Sequence, residues 1–125
     1  MQTTRCGRTW LDESGVVLVE NLAGADQTLE DAIENIRVTA IECGGVRRPT
    51  LVDLTGLKAI SRDARNYYAS PAGTRHATAI ALVVGSPLSR MMGNFFIGMN
   101  RLAVPVRLFG TRQDAMAWLL AQAPR

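Results

Sequence analysis

Few residues in this 125-residue chain are of types that could do chemistry. Asp53 closes the apolar run Thr50-Leu51-Val52, and a carboxylate ending a buried strand is unusual. It would act either as a proton acceptor or, more simply, as the acceptor for N–H groups of the turn from Thr55 to Leu57. His76 is the single histidine. A Ser-His-Asp set with Asp53 would need a nucleophile elbow, and no G-x-S-x-G segment is present. His76 also has no cysteine or acidic neighbour in sequence to build a ligand cluster, so a surface or strand-edge position is expected. Cys6 and Cys43 are isolated and lack metal-type spacing, which points to free thiols in a reducing compartment. Gly44-Gly45 and Gly110 stand apart from any dinucleotide or Walker pattern. No catalytic residue, cofactor site or metal site is assigned, and an enzyme is not expected.

A second set of residues could bind rather than react. Ser61, Ser86 and Thr111 each precede a helical pattern and are natural N-caps. Arg62, Arg90 and Arg112 fall in the first turns of the same helices, where a cation opposes the helix dipole. Three such helix starts at one sheet edge would offer N–H groups and positive charge to an anion. With Asp53, Thr55, Lys58 and Arg65 they form a candidate interaction or anion-binding surface. Separately, Leu88, Met91, Met92, Phe95, Phe96, Met99 and Leu102 recur at helical spacing. That stripe is plain core in the simplest reading. Met91, Met92, Phe95, Phe96 and Met99 would also suit a deformable apolar pocket beneath a helix spanning 87–102.

The elements that position these groups can be read in order. Arg8–Gly15 and Val16–Glu20 form a hairpin around Ser14-Gly15. Thr28 caps a helix with Glu30 and Asp31 in its first turn, an apolar face of Leu29, Ala32, Ile33, Ile36 and Ala40, and an end at Gly44-Gly45. Pro49–Leu54 is a strand followed by a polar loop, and a short helix runs from Ser61 until Pro71 and Gly73 stop it. Ala77–Val84 is an apolar, alanine-rich run, as in a central strand covered on both faces. Ser86-Pro87 starts the next helix. Val104–Phe109 is the last strand and Thr111 caps the last helix. The order is β-β-α-β-α-β-α-β-α, an α/β arrangement with right-handed crossovers.

Length and a hydrophobic fraction of 47% fit one domain, taken as 8–123, with 1–7 as a patternless and flexible lead. The longest apolar run is far short of the ~20 residues of a membrane span, and no signal segment is recognisable. A cytoplasmic location is therefore expected. Net charge is +3 with Lys58 the only lysine. The cations are scattered, so nucleic acid is not an expected partner. A homodimer is expected from the high apolar fraction, with Tyr67, Tyr68 and Ile97 as the exposed patch.

The element order and the stretch Val52-Asp53-Leu54-Thr55-Gly56-Leu57-Lys58-Ala59-Ile60-Ser61 resemble the SpoIIAA-like (STAS) domains, the anti-sigma-factor-antagonist fold. The segment Ala81–Arg90, with Gly93-Asn94-Phe95-Phe96 and Arg107-Leu108-Phe109, is similar to small bacterial STAS/SEC14-like proteins. The resemblance spans residues 8–120. It implies a mixed sheet of about five strands, an N-terminal hairpin and about four covering helices. Regulatory members carry an aspartate-serine pair at the helix start whose serine is phosphorylated. Here Asp53 and Thr55 match the loop, but the pair falls on Ser61 and Arg62, so arginine holds the acceptor position. The resemblance thus implies a regulatory or protein-interaction module in signalling without the usual phospho-serine switch. The alternative it leaves is a module for a small apolar molecule or lipid.

Overall fold

The structure, a computed structural model, describes residues 1–97 and 103–122. Its main sheet has six strands: β1 (Gln2–Thr3), β2 (Gly7–Leu11), β3 (Val17–Asn21), β5 (Arg48–Asp53), β7 (Ala77–Val83) and β8 (Val106–Phe109), lying side by side in that order. The pairs β1–β2 and β2–β3 are antiparallel, while β3–β5, β5–β7 and β7–β8 are parallel. Between β3 and β5 in sequence lie β4 (Ala25–Gln27) and α1 (Leu29–Cys43). Residue order then gives β6 (Leu57–Ile60), α2 (Arg62–Ala69), α3 (Pro71–Thr74), α4 (Pro87–Ile97) and α5 (Arg112–Gln122). Strands β4 and β6 form a separate parallel pair.

Sequence chemistry explains most of these elements. In the β2–β3 hairpin the Asp12 carboxylate accepts from the Ser14 N–H at 3.0 Å and the Ser14 hydroxyl at 2.6 Å, while Gly15 takes φ of 89°. Thr28 and Asp31 close a reciprocal capping box on α1, and Gly44 ends the helix in the left-handed region. Strand β7 is apolar but for Thr78 because both its faces are covered. Ala79, Ala81 and Val83 pack with Val16, Leu51, Ala115 and Leu119 under α5. Ile80, Leu82 and Val84 pack with Leu54, Leu57 and Met92 on the other side. Helix α5 contacts β5, β7 and β8, whereas α1 and α4 lie on the opposite face, with α2 against α1.

The six-stranded mixed sheet agrees with the sheet of about five strands expected from sequence. Four other readings need correction. The short β4–β6 pair lies in what reads as loop. Residues 1–7 are not a free lead: β1 pairs with β2, Cys6 is buried, and Arg5 bonds the Asp31 carboxylate. The inward face of α1 is Ala32, Asn35, Val38, Thr39 and Cys43, while Ile33 and Ile41 face outward. The periodicity misleads there because two polar residues are buried with partners. Finally, β6 carries the chain a strand's length beyond Asp53 before α2 begins. Only α4 and α5 therefore start directly after main-sheet strands, whereas α2 starts after β6 of the separate pair. Among the described residues no helix is long and apolar enough to cross a membrane.

Candidate functional site

Asp53 is 7% exposed at the carboxyl end of β5. Its Oδ1 accepts from the Thr55 N–H at 2.9 Å and the Thr55 hydroxyl at 2.6 Å, as the turn reading anticipates. Its Oδ2 accepts from Arg112 Nε at 2.8 Å. The other arm of that guanidinium reaches Glu20 Oε2 at 2.6 Å, and Glu20 Oε1 accepts from Arg8 Nε at 3.0 Å. Strand pairing sets this up: Glu20 lies opposite Asp53 on β5 and opposite Arg8 on β2. The cation of Arg112 at the start of α5 is thus met by two carboxylates of the chain itself.

The electrostatics argue against proton transfer at neutral pH. Burial alone would raise the Asp53 pKa, but hydrogen bonds from Thr55 and then from Arg112 outweigh it and hold the carboxyl below its usual range. Arg8, then Arg112, lower that of Glu20. His76 cannot serve Asp53 either. It immediately precedes β7, and Asp53 pairs with Val83 at the far end of that strand, about 20 Å away at the rise of a strand. Among the described residues no three His, Cys, Asp or Glu side chains are grouped as metal ligands would be, and both cysteines are free and buried.

The start of α4 is also internally satisfied. Ser89, fully buried, accepts from the Gly85 N–H at 3.0 Å and the Ser86 N–H at 2.9 Å, while Ser86 Oγ accepts from the Ser89 N–H at 3.1 Å. Those N–H groups are already spoken for. Sequence reasoning missed Ser89, whose only signal is the S-P-x-S spacing. A Cβ on Gly85 would lie 2.9 Å from Thr55 Cγ2, so this loop and the turn after β5 are in close approach.

The rest of the predicted surface is outward. Thr55, Lys58, Ser61, Arg62 and Arg90 are exposed, and Ser61 Oγ caps α2 by accepting from the Ala64 N–H at 3.1 Å. Arg65 is half-buried with its guanidinium over the Phe95 ring at 5.2 Å, which ties α2 to α4. Among the described residues no carboxylate pairs with Lys58, Arg62 or Arg90. The structure therefore divides the predicted set: Asp53, Thr55 and Arg112 form one internal clasp, and Lys58, Arg62 and Arg90 remain as unpaired surface cations.

On the opposite side of the main sheet from α5 lies an internal cavity of about 80 Å³. Of the stripe on α4, Met92 lines it; Met91 is exposed, and Phe95 packs against the neighbouring core. The side chains of Phe96 and Ile97, and Met99 entirely, lie outside the described residues. The polar wall is a relay. Tyr68 Oη donates to Gln27 Oε1 and accepts from Asn35 Nδ2 at 2.9 Å. Gln27 Nε2 donates to Asn21 Oδ1 at 2.6 Å, and Asn21 Nδ2 donates to the Asp53 carbonyl at 3.0 Å. Tyr68 is thus turned inward rather than offered as part of a surface patch, and burial pushes its pKa up. His76, half-buried just before β7, takes the strand-edge rather than the surface position of the two expected, and it also lines the cavity. Its Nδ1 is enclosed without a hydrogen-bond partner, and burial pulls its pKa down to about 4.

The family described as a domain of unknown function, DUF7793, matches residues 9–122. A solved structure of an uncharacterised DUF3478-family protein with a SpoIIAA-like fold, from Shewanella loihica PV-4, superposes with a TM-score of 0.66 at 16% identity, covering 95% of this chain and 98% of that one. The fold is therefore SpoIIAA-like. A protein of unknown function from Arthrobacter sp. FB24 is 33% identical over 95% of this chain and 96% of its own, with a TM-score of 0.38. A search of the curated proteins finds no match.

Proposed function

The chain belongs to the DUF7793 family, and from that premise we propose that it is a non-enzymatic, cytoplasmic bacterial protein-interaction module that engages an acidic partner through β6, α2 and the start of α4. The observation that carries this reading is the trio of Lys58, Arg62 and Arg90, exposed and without carboxylate partners among the described residues. Helix α2 supports it, since Arg62, Asp63 and Asn66 of its first turns are exposed while Ala64 is buried. By the resemblance to SpoIIAA-like domains, Arg62 takes the place of the serine that regulatory members phosphorylate. A fixed positive charge there favours an acidic surface without a phosphorylation step. Exposed Ile33, Ile41 and Val46, on and just beyond α1, support self-association through a separate face, leaving the cationic surface free in a homodimer.

The alternative, a small-molecule or lipid-binding module with an apolar pocket under the helix of 87–102, has less support as the main role. Of the described stripe side chains only Met92 reaches the cavity, whose volume of about 80 Å³ is too small for a lipid chain. The test is capture of partners from the protein's own cells by the wild type and by a K58E/R62E/R90E variant, compared by quantitative mass spectrometry. The reading expects a protein retained by the wild type and lost from the variant, with unchanged circular dichroism and melting temperature. The same proteins on both, or none on either, would refute it. An added phosphate on Ser61 or Thr55 in the intact mass would restore a phosphorylation switch.

A further inference from the structure

The internal cavity has three properties that together specify an occupant. First, its wall is mixed. Asn21, Gln27, Asn35, Tyr68 and His76 bring polar atoms to it, whereas Val52, Leu82, Met92 and Val106 bring apolar surface. Second, none of the lining residues is an aspartate, glutamate, lysine or arginine. An ion enclosed there would lose its hydration without gaining a counter-charge. Third, hydrogen-bonding capacity remains unspent. His76 Nδ1 is buried with no partner, and the Asn21, Gln27 and Asn35 amides each make one recorded N–H bond of the two available.

Water alone answers this poorly. Each enclosed water needs two to four polar partners. Molecules against Leu82, Met92 and Val106 would find few. A small organic molecule with one polar group satisfies both kinds of lining at once.

We propose that this cavity is a binding site for a small, neutral, amphipathic molecule with a single amide- or hydroxyl-type head, the head meeting Asn35, Tyr68 and His76 and the apolar end meeting Leu82 and Met92. The site is separate from the cationic outer surface and stands or falls independently of it.

A pair of isosteres tests it. Isobutyramide and isobutyrate share one shape and differ in charge at pH 7. Each is titrated into ¹⁵N-labelled full-length protein while amide shifts are followed. The proposal expects saturable shifts with isobutyramide at Thr50, Gly73, Thr74 and His76, and at least tenfold weaker binding of isobutyrate. Val52 also lines the space, so Val52→Leu, which adds one methylene, weakens isobutyramide several-fold. Absence of saturable shifts with isobutyramide, equal binding of the two probes, or shifts confined to the outer surface would overturn the proposal.

Discussion

Acid should loosen this fold through His76 before its carboxylates respond. Burial depresses the imidazole pKa from 6.5 to about 4, so the folded state binds fewer protons than the unfolded chain between those values. Stability is therefore full above about pH 6.5, falls as pH drops, and stops falling below about pH 4. A difference of 2.5 units at 1.36 kcal/mol each gives a total loss of about 3 kcal/mol. By pH 5 about 2 kcal/mol of it has gone. The lowered carboxyl groups, Glu20, Asp31 and Asp53, act in the same direction but later. Their contribution is present above their unfolded values of 4.5 and 3.8 and is lost as pH falls through the folded ones. The interval from pH 7.5 to 5 therefore isolates the histidine. Urea unfolding of wild type and His76→Gln across that interval is the assay, with the pH slope rather than absolute stability as the readout. The wild type should lose about 2 kcal/mol and the variant only a small fraction of it. Parallel slopes would refute the inward placement of His76.

Other substitutions probe the clasp and the relay. Arg112→Met leaves Asp53 and Glu20 without their shared cation; since Arg112 is 38% exposed, the cost should be ~1–2 kcal/mol by urea unfolding, below that of a fully buried pair. The same change should raise the Asp53 pKa, readable from its carboxyl ¹³C shift. Tyr68→Phe removes the donor to Gln27 and the acceptor for Asn35, so ~1–3 kcal/mol should be lost with little change in circular dichroism. Gly56→Ala would bring a Cβ to 2.7 Å from the Asn21 carbonyl oxygen and 2.8 Å from that of Leu22. Both contacts are backbone, so the variant should be poorly folded or at least ~2 kcal/mol less stable, seen as a drop in melting temperature. Survival at wild-type stability would show that β3 and the β5–β6 turn are further apart.

Much of the scaffold was legible because local chemistry and tertiary demand agree. Thr28, Ser61 and Thr111 cap helices, Ser14-Gly15 turns the hairpin, and the apolar run 77–84 marks the doubly covered strand. The Asp53–Thr55 turn was equally readable, since donor and acceptor are two residues apart. The Arg112 arm of the clasp was not, because 59 residues separate it from Asp53. The cavity wall eluded the pattern for a related reason. Hydropathy places Asn35, Thr39, Tyr68 and His76 outside, yet Asn35 and Tyr68 satisfy each other across 33 positions and Tyr68 reaches Gln27 across 41. Burial of polar groups depends on partners brought by topology, and no periodicity records them. The β4–β6 pair escaped because three- and four-residue strands leave too few side chains to alternate.

The central claim concerns which face meets a partner. Amide hydrogen exchange of the protein alone and with its captured partner bound reads that face directly. Protection confined to residues 55–66 and 86–91 is the predicted result. Unchanged exchange there, with protection over the β2–β3 hairpin or α5 instead, would contradict the account.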